Sequence, residues 1–180
     1  MKKNLIAAAI ASALICAASA AHAQFFSISA DLPVQYKFDQ GGSADDVSGF
    51  TAAVNLPFLV GFGYESYSAT LNNGAGVGIS REITFTIFDV FFDLPTPLVN
   101  IGLGLGFGSA EVKDGAGSTQ TFDDADVFQY FVTIGLPFAG VFDVHLGFHA
   151  LQGTADNKSA TGQDQDIDGK MISLGLRIGF

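Results

Sequence analysis

The sequence predicts an all-β chain that closes into an eight-stranded up-and-down antiparallel transmembrane β-barrel. Three observations predict it. The chain carries a formal charge of −10 yet has a mean hydropathy of +0.37 and 18 Phe, so acidic and apolar residues must be kept apart. Apolar residues alternate with small or polar ones through segments of about eleven residues, the length of a tilted membrane strand. Short Leu-Pro turns also alternate with long polar loops. Beyond the N-terminal segment, no stretch holds the roughly 18 consecutive apolar residues of a membrane helix. Strands with one apolar face are the remaining option.

Residues 1–23 are expected to be a cleaved export signal. Lys2 and Lys3 form its positive region, Leu5 to Cys16 is an apolar run too short to span a bilayer, and Ala21-His22-Ala23 is a small-x-small cleavage site. Ile15 before Cys16 argues against a lipid anchor. The barrel domain is then residues 24–180, starting at Gln24 and lacking cysteine, which excludes disulfides and thiolate chemistry. Without Lys2 and Lys3, six Lys or Arg face eighteen Asp or Glu, a formal charge of −12. That balance argues against nucleic acid as a partner, because such affinity comes from basic residues meeting phosphates.

The strands follow in order. In the first, Phe26, Ile28, Ala30, Leu32, Val34, Tyr36 and Phe38 share one face, and Ser27, Ser29, Asp31, Pro33, Gln35 and Lys37 the other. The second and third run from about Val47 to Leu56 and from Phe58 to Leu71. The fourth, Arg81 to Leu94, resists a simple reading: Ile83, Phe85 and Ile87 suggest the lipid face, which puts Asp89 there unless a bulge or a rim position intervenes. The fifth alternates Val99, Ile101, Leu103, Leu105 and Phe107 with Asn100, Gly102, Gly104, Gly106 and Gly108. This glycine run opens no helix, so it is not a nucleotide loop. The sixth is Asp126 to Leu136. In the seventh, Phe142, Val144, Leu146 and Phe148 oppose Asp143, His145, Gly147 and His149. In the eighth, Ile172, Leu174, Leu176, Ile178 and Phe180 alternate with Met171, Ser173, Gly175, Arg177 and Gly179. In a membrane barrel the apolar set faces lipid and the other set the lumen.

Leu56-Pro57, Leu94-Pro95 and Leu136-Pro137 mark three short turns, because Pro cannot donate to a ladder. The segments Gln40 to Asp46, Asn72 to Ser80, Asp114 to Ala125 and Gly153 to Gly169 are long and polar. Outer-membrane barrels divide their turns and loops between two ends in this way. Closure is required physically, since an unpaired backbone N–H or C=O in hydrocarbon costs several kcal/mol.

The ending Ser173-Leu174-Gly175-Leu176-Arg177-Ile178-Gly179-Phe180 resembles the insertion signal of outer-membrane barrels, with Ile172, Leu174, Leu176, Ile178 and Phe180 as its apolar set. As eight strands, the chain is similar to the OmpA-type transmembrane barrel and its OmpX- and OmpW-like relatives. The stretch Ile134-Gly135-Leu136-Pro137-Phe138 also resembles small outer-membrane proteins. The resemblance implies a place in a Gram-negative outer membrane, with insertion by the barrel-assembly machinery and outer-membrane lipid and lipopolysaccharide as partners. With no Trp, the interfacial girdles fall to Phe58, Phe92, Phe142 and Phe180 at one rim and to Tyr36, Phe107 and Phe148 near the other.

By parity, Asp31, Lys37, Glu65, Asp143, His145, His149 and Arg177 gather in the lumen. Arg177 facing lipid would cost about 2–4 kcal/mol near the midplane, so it should turn inward, with Asp143 on the preceding strand as its expected partner. A salt-bridged polar network that closes the barrel is the bland reading. Lumenal glycines at 61, 63, 102, 104 and 106 are expected to leave room, which favours a narrow conduction path. His145 or His149 with Ser173 and Asp143 would serve a lipid-modifying enzyme, but no nucleophile elbow marks such a site. Asp164-Gln165-Asp166-Ile167-Asp168-Gly169 opens like an EF-hand loop, yet Gly175 stands where its twelfth-position Glu belongs. Asp164, Asp166 and Asp168 remain weak candidates for a divalent cation at the acidic loops. No cofactor is expected. The leading function is a non-enzymatic barrel with a structural, surface-interaction or minor permeability role. The alternative is a narrow pore or carrier for small or apolar solutes, as in OmpW-like proteins.

Overall fold

A computed structural model describes residues 26–39, 42–44, 46–57, 59–72, 80–96, 98–114, 122–138, 141–158 and 164–180. The expected export signal, Gln24 and Phe58 lie outside them. Seven strands, β1 (Ser27–Phe38), β2 (Asp46–Asn55), β3 (Val60–Asn72), β4 (Ser80–Pro95), β5 (Asn100–Asp114), β6 (Ala125–Phe138) and β7 (Phe142–Gln152), are followed by two short pieces. These are β8 (Thr154–Ala155) and β9 (Gln165–Asp166), which pair only with each other, and β10 (Gly169–Gly179) then completes the wall. The wall is a closed antiparallel barrel in which each strand pairs with its sequence neighbour and β10 returns to β1. The expected eight-stranded fold is what forms. The three short connections and both ends of the barrel lie at one rim, where Phe180 N–H donates to Phe26 O at 2.8 Å. The longer connections lie at the other.

The first strand departs from simple alternation. Pro33 pairs with Ser173 and Gln35 with Ile172, so Val34 is an extra residue on β1. Pro33 has no N–H for the ladder, and a bulge beside it is the usual accommodation. One extra residue reverses every later side chain. Tyr36 and Phe38 therefore point inward and are buried, while Gln35 and Lys37 are exposed on the outer wall. Lys37 is not a lumen residue, and Tyr36 is not a girdle residue.

The lumen has two storeys of opposite character. Toward the long loops it is a dry apolar core. Phe85 lies against Tyr67 and Tyr36 with ring centroids 4.9 and 5.3 Å apart, and Ile83, Ile87, Leu151 and Met171 fill in around them. Ile167, from the β9–β10 connection, caps this core, and Tyr36 Oη donates to its carbonyl at 2.7 Å. The outer wall at this level is polar, with Ser66, Ser68, Thr84, Thr86, Glu111 and Lys113. This storey obeys the rule for a water-soluble barrel.

Nearer the short turns the polarity inverts. Leu32, Phe88, Val90, Leu103, Leu105, Leu136, Leu146 and Leu176 are exposed outside, while the inward face is mostly polar, with Phe91 and Phe131 packed among the polar groups. The reversal accounts for Asp89. β4 runs without a bulge, and Ile83, Phe85, Ile87, Asp89, Phe91 and Asp93 all face inward, crossing from the dry storey into the polar one. Neither a bulge nor a rim position is involved.

The glycine face is not vacant either. A Cβ at Gly104 would run into the ring of Phe131 and the Cβ of Phe91, one at Gly106 into Asp89 and Ile87, and one at Gly175 into Asp31 and His145. Each glycine is a shallow seat for a large neighbour, and this large-small alternation fills a small barrel.

Candidate functional site

The polar storey is the one concentration of chemistry-bearing side chains in the described lumen. β1 supplies Asp31, β3 Glu65, β4 Asp89 and Asp93, β6 Gln129, β7 Asp143, His145 and His149, and β10 Ser173 and Arg177, all buried. Period-2 alternation brings them together, because residues two apart on a strand share a face. Arg177 donates to Asp93 Oδ2 at 2.6 Å, and Asn55 donates to the same oxygen. The expected partner Asp143 instead accepts from Asn100 and lies 3.5 Å from His145 Nδ1. Arg177 and Asp143 are paired across the ladder, but the guanidinium crosses the lumen to β4.

His145 Nε2 lies 2.9 Å from Asp31 Oδ1. Gln129 Nε2 donates to both Glu65 Oε1 at 3.1 Å and Asp89 Oδ1 at 3.0 Å. His149 stacks on Phe131, with centroids 5.1 Å apart and planes 17° apart. Its Nε2 is 3.3 Å from Ser173 Oγ, and its Nδ1 is 3.2 Å from Glu65 Oε1 but off the line of a hydrogen bond. Five carboxyl groups thus share one guanidinium and two imidazoles.

Serine to Nε2 and acid to Nδ1 is the connectivity of a nucleophilic triad. Here, however, Ser173 is 0 % exposed. The adjoining cavity, lined by Asp31, Glu65, Asp89, His145, His149 and Arg177 among others, measures about 30 Å³. That admits one or two water molecules and no acyl substrate. Ser173 and Glu65 flank His149 on its two ring nitrogens, and all three side chains are buried.

Of the expected lumen set, Asp31, Glu65, Asp143, His145, His149 and Arg177 converge in this storey, and Lys37 does not. Asp93 and Gln129 were not singled out from sequence. Their parity with Asp89 and Thr133 could have marked them, had the inward face of β4 been read as mixed. Asp164, Asp166 and Asp168 do not converge. Their carboxylates accept from the backbone N–H groups of Asn157 at 3.0 Å, Asp168 at 2.8 Å and Gly153 at 2.8 Å. Among the described residues no group of three or more His, Cys, Asp or Glu could hold a metal ion. The apolar residues of the last strand, Leu174, Leu176, Ile178 and Phe180, all project outward.

No family model matches the sequence, and no curated protein matches it. Solved structures do. Neisserial surface protein A superposes with a TM-score of 0.58 at 13 % identity, covering 86 % of this chain and 97 % of that one. Ail, the attachment invasion locus protein of Yersinia pestis, gives 0.54 at 14 % identity over 86 % and 96 %. The outer membrane protein OprG from Pseudomonas aeruginosa gives 0.50 at 13 % over 86 % and 95 %. The fold is that of the small eight-stranded outer-membrane barrels.

Proposed function

We propose that this chain is an integral outer-membrane barrel whose role is structural or surface-directed, with a sealed lumen and no catalytic site. The exterior band of Leu, Phe, Val and Ile supports the membrane reading, because that much exposed apolar surface is not stable in water. The loop-side storey would then stand above the bilayer, carrying the acidic connections into the medium. Export through the N-terminal segment and insertion by the barrel-assembly machinery belong to the same reading. Fractionation of cells, heat-modifiable gel mobility and the intact mass of the purified protein, expected to begin at Gln24, test these points.

One observation carries the sealed-lumen reading: Tyr36, Tyr67, Phe85, Ile83, Ile87 and Met171 meet across the whole loop-side storey with 2 % exposure or less. A water-filled path needs a polar lining and open diameter, whereas eight strands leave room only for side chains. The full-length mature protein, inserted into planar bilayers with insertion verified by gel mobility, should show no reproducible single-channel conductance. Steps of defined size that recur across preparations would restore the pore reading. Burial of Ser173 supports a non-enzymatic role, and an unchanged lipid profile in cells carrying His149→Ala checks it.

A further inference from the structure

The outer wall carries a trough. It begins at Lys170 and Ile172 on β10, passes Ala150 and Phe148 on β7, and descends across β6, β5 and β4 to Val60 on β3. It is half open, about 910 Å³ in volume, and almost wholly apolar. Its two banks are cross-strand rows. Ile172, Phe148, Val132, Leu103, Phe92 and Val60 form the lower one by direct register. Lys170, Ala150, Tyr130, Leu105 and Val90 form the upper. Ala150 is the small residue of its row, between Tyr130 and Lys170, and it opens the trough at its loop-side end. The stagger of the strands slants the trough from the loop-side edge of the apolar band to the short-turn rim. Five strand spacings of about 4.8 Å give it a length of about 24 Å, against about 15 Å for one leaflet of hydrocarbon.

The upper end is cationic. Lys37 on β1 pairs directly with Lys170 on β10, and both are exposed on the outer wall, Lys170 above Ile172 and Lys37 above Gln35 and Val34. Like charges placed opposite one another are unfavourable. Asp39, 3.2 Å from Lys170 Nζ, balances one of the two. In a chain this acidic, a lysine pair at the edge of an apolar trough is a specific place for an anion that also carries hydrocarbon.

We infer that this trough and the Lys37–Lys170 pair form a binding site for one phosphate-bearing glycolipid of the outer leaflet, of the lipid A class. One acyl chain lies along Ala150, Phe148 and Leu103, and a phosphate lies at the two ammonium groups. The inference rests on the membrane reading proposed above and names a lipid for one face of it. Continuity with the exterior band favours hydrocarbon, the lysines favour an anionic headgroup, and their position at the loop-side edge selects the outer leaflet.

The test is native mass spectrometry of the mature barrel, folded in dodecyl maltoside with equal amounts of lipid A and dioleoyl-phosphatidylcholine. Wild type should retain one lipid A, with a preference on the order of tenfold or more. Ala150→Trp should lose the bound lipid, and the Lys37→Gln/Lys170→Gln pair should lose the preference, both with normal heat-modifiable mobility. Equal retention of the two lipids, or lipid A binding undiminished in both variants, would overturn the site as annular contact only. Wild-type protein that never shows heat-modifiable mobility would count against the membrane reading instead.

Discussion

Arg177→Met is the sharpest single perturbation of the polar storey. Arg177 and Asp93 are joined at 2.6 Å with side chains about one-tenth exposed, so bulk water cannot solvate the carboxylate fully when the guanidinium goes. Removing one partner of such a pair costs about 3–5 kcal/mol, because it strands the other charge, whereas replacing both by apolar groups is often close to neutral. With a urea slope of about 2 kcal/mol per molar, the loss should move the unfolding midpoint of the barrel in lipid vesicles down by about 2 M. The Arg177→Met/Asp93→Leu pair should recover most of that shift. Asp93→Asn should cost more than Asp143→Asn, since the guanidinium touches Asp93 and not Asp143. The readout is gel mobility and tyrosine fluorescence across a urea series, with reversibility checked. A midpoint shift under about 0.5 M for Arg177→Met, or a double variant weaker than either single one, would refute the claim that this pair is buried and mutually dependent.

Other perturbations probe the packing. Gly104→Phe, which a vacant lumen would accept as a plug, should instead destabilise the barrel by about 1–3 kcal/mol or prevent folding, because Phe131 and Phe91 already occupy the space; a urea midpoint or folding yield equal to wild type would contradict this. Phe85→Ala removes the ring between Tyr67 and Tyr36 and should cost about 3–5 kcal/mol by the same measurement. Leu59 sits at φ +68° in the turn before β3, a left-handed conformation that costs an L-residue roughly 1–2 kcal/mol. Leu59→Gly should therefore raise the midpoint slightly, with the added backbone entropy of glycine offsetting part of the gain.

By itself the sequence determined the number of wall strands, their order and the ends at which turns and loops fall, though not the short β8–β9 hairpin within the last long connection. Those follow from local chemistry: period-2 alternation, proline's missing donor and clusters of polar residues. It also determined that Arg177, His145, His149, Glu65, Asp31 and Asp143 share the inside, because parity along a regular strand is local too. Tertiary structure decided the rest. The bulge at Val34 turned Tyr36 inward and Lys37 outward, an outcome set by the register with β10 and not readable from β1 alone. The partner of Arg177 lies across the lumen on β4, a distance in sequence that no strand pattern encodes. The glycine face looked like empty space until the neighbouring strands laid Phe131, Asp89 and His145 over it. Alternation also reports only that a strand has two faces. The outer wall changes from polar to apolar partway along the barrel, so the apolar residues of β4 are the inward Ile83 and Phe85 at one level and the outward Phe88 and Val90 at the other.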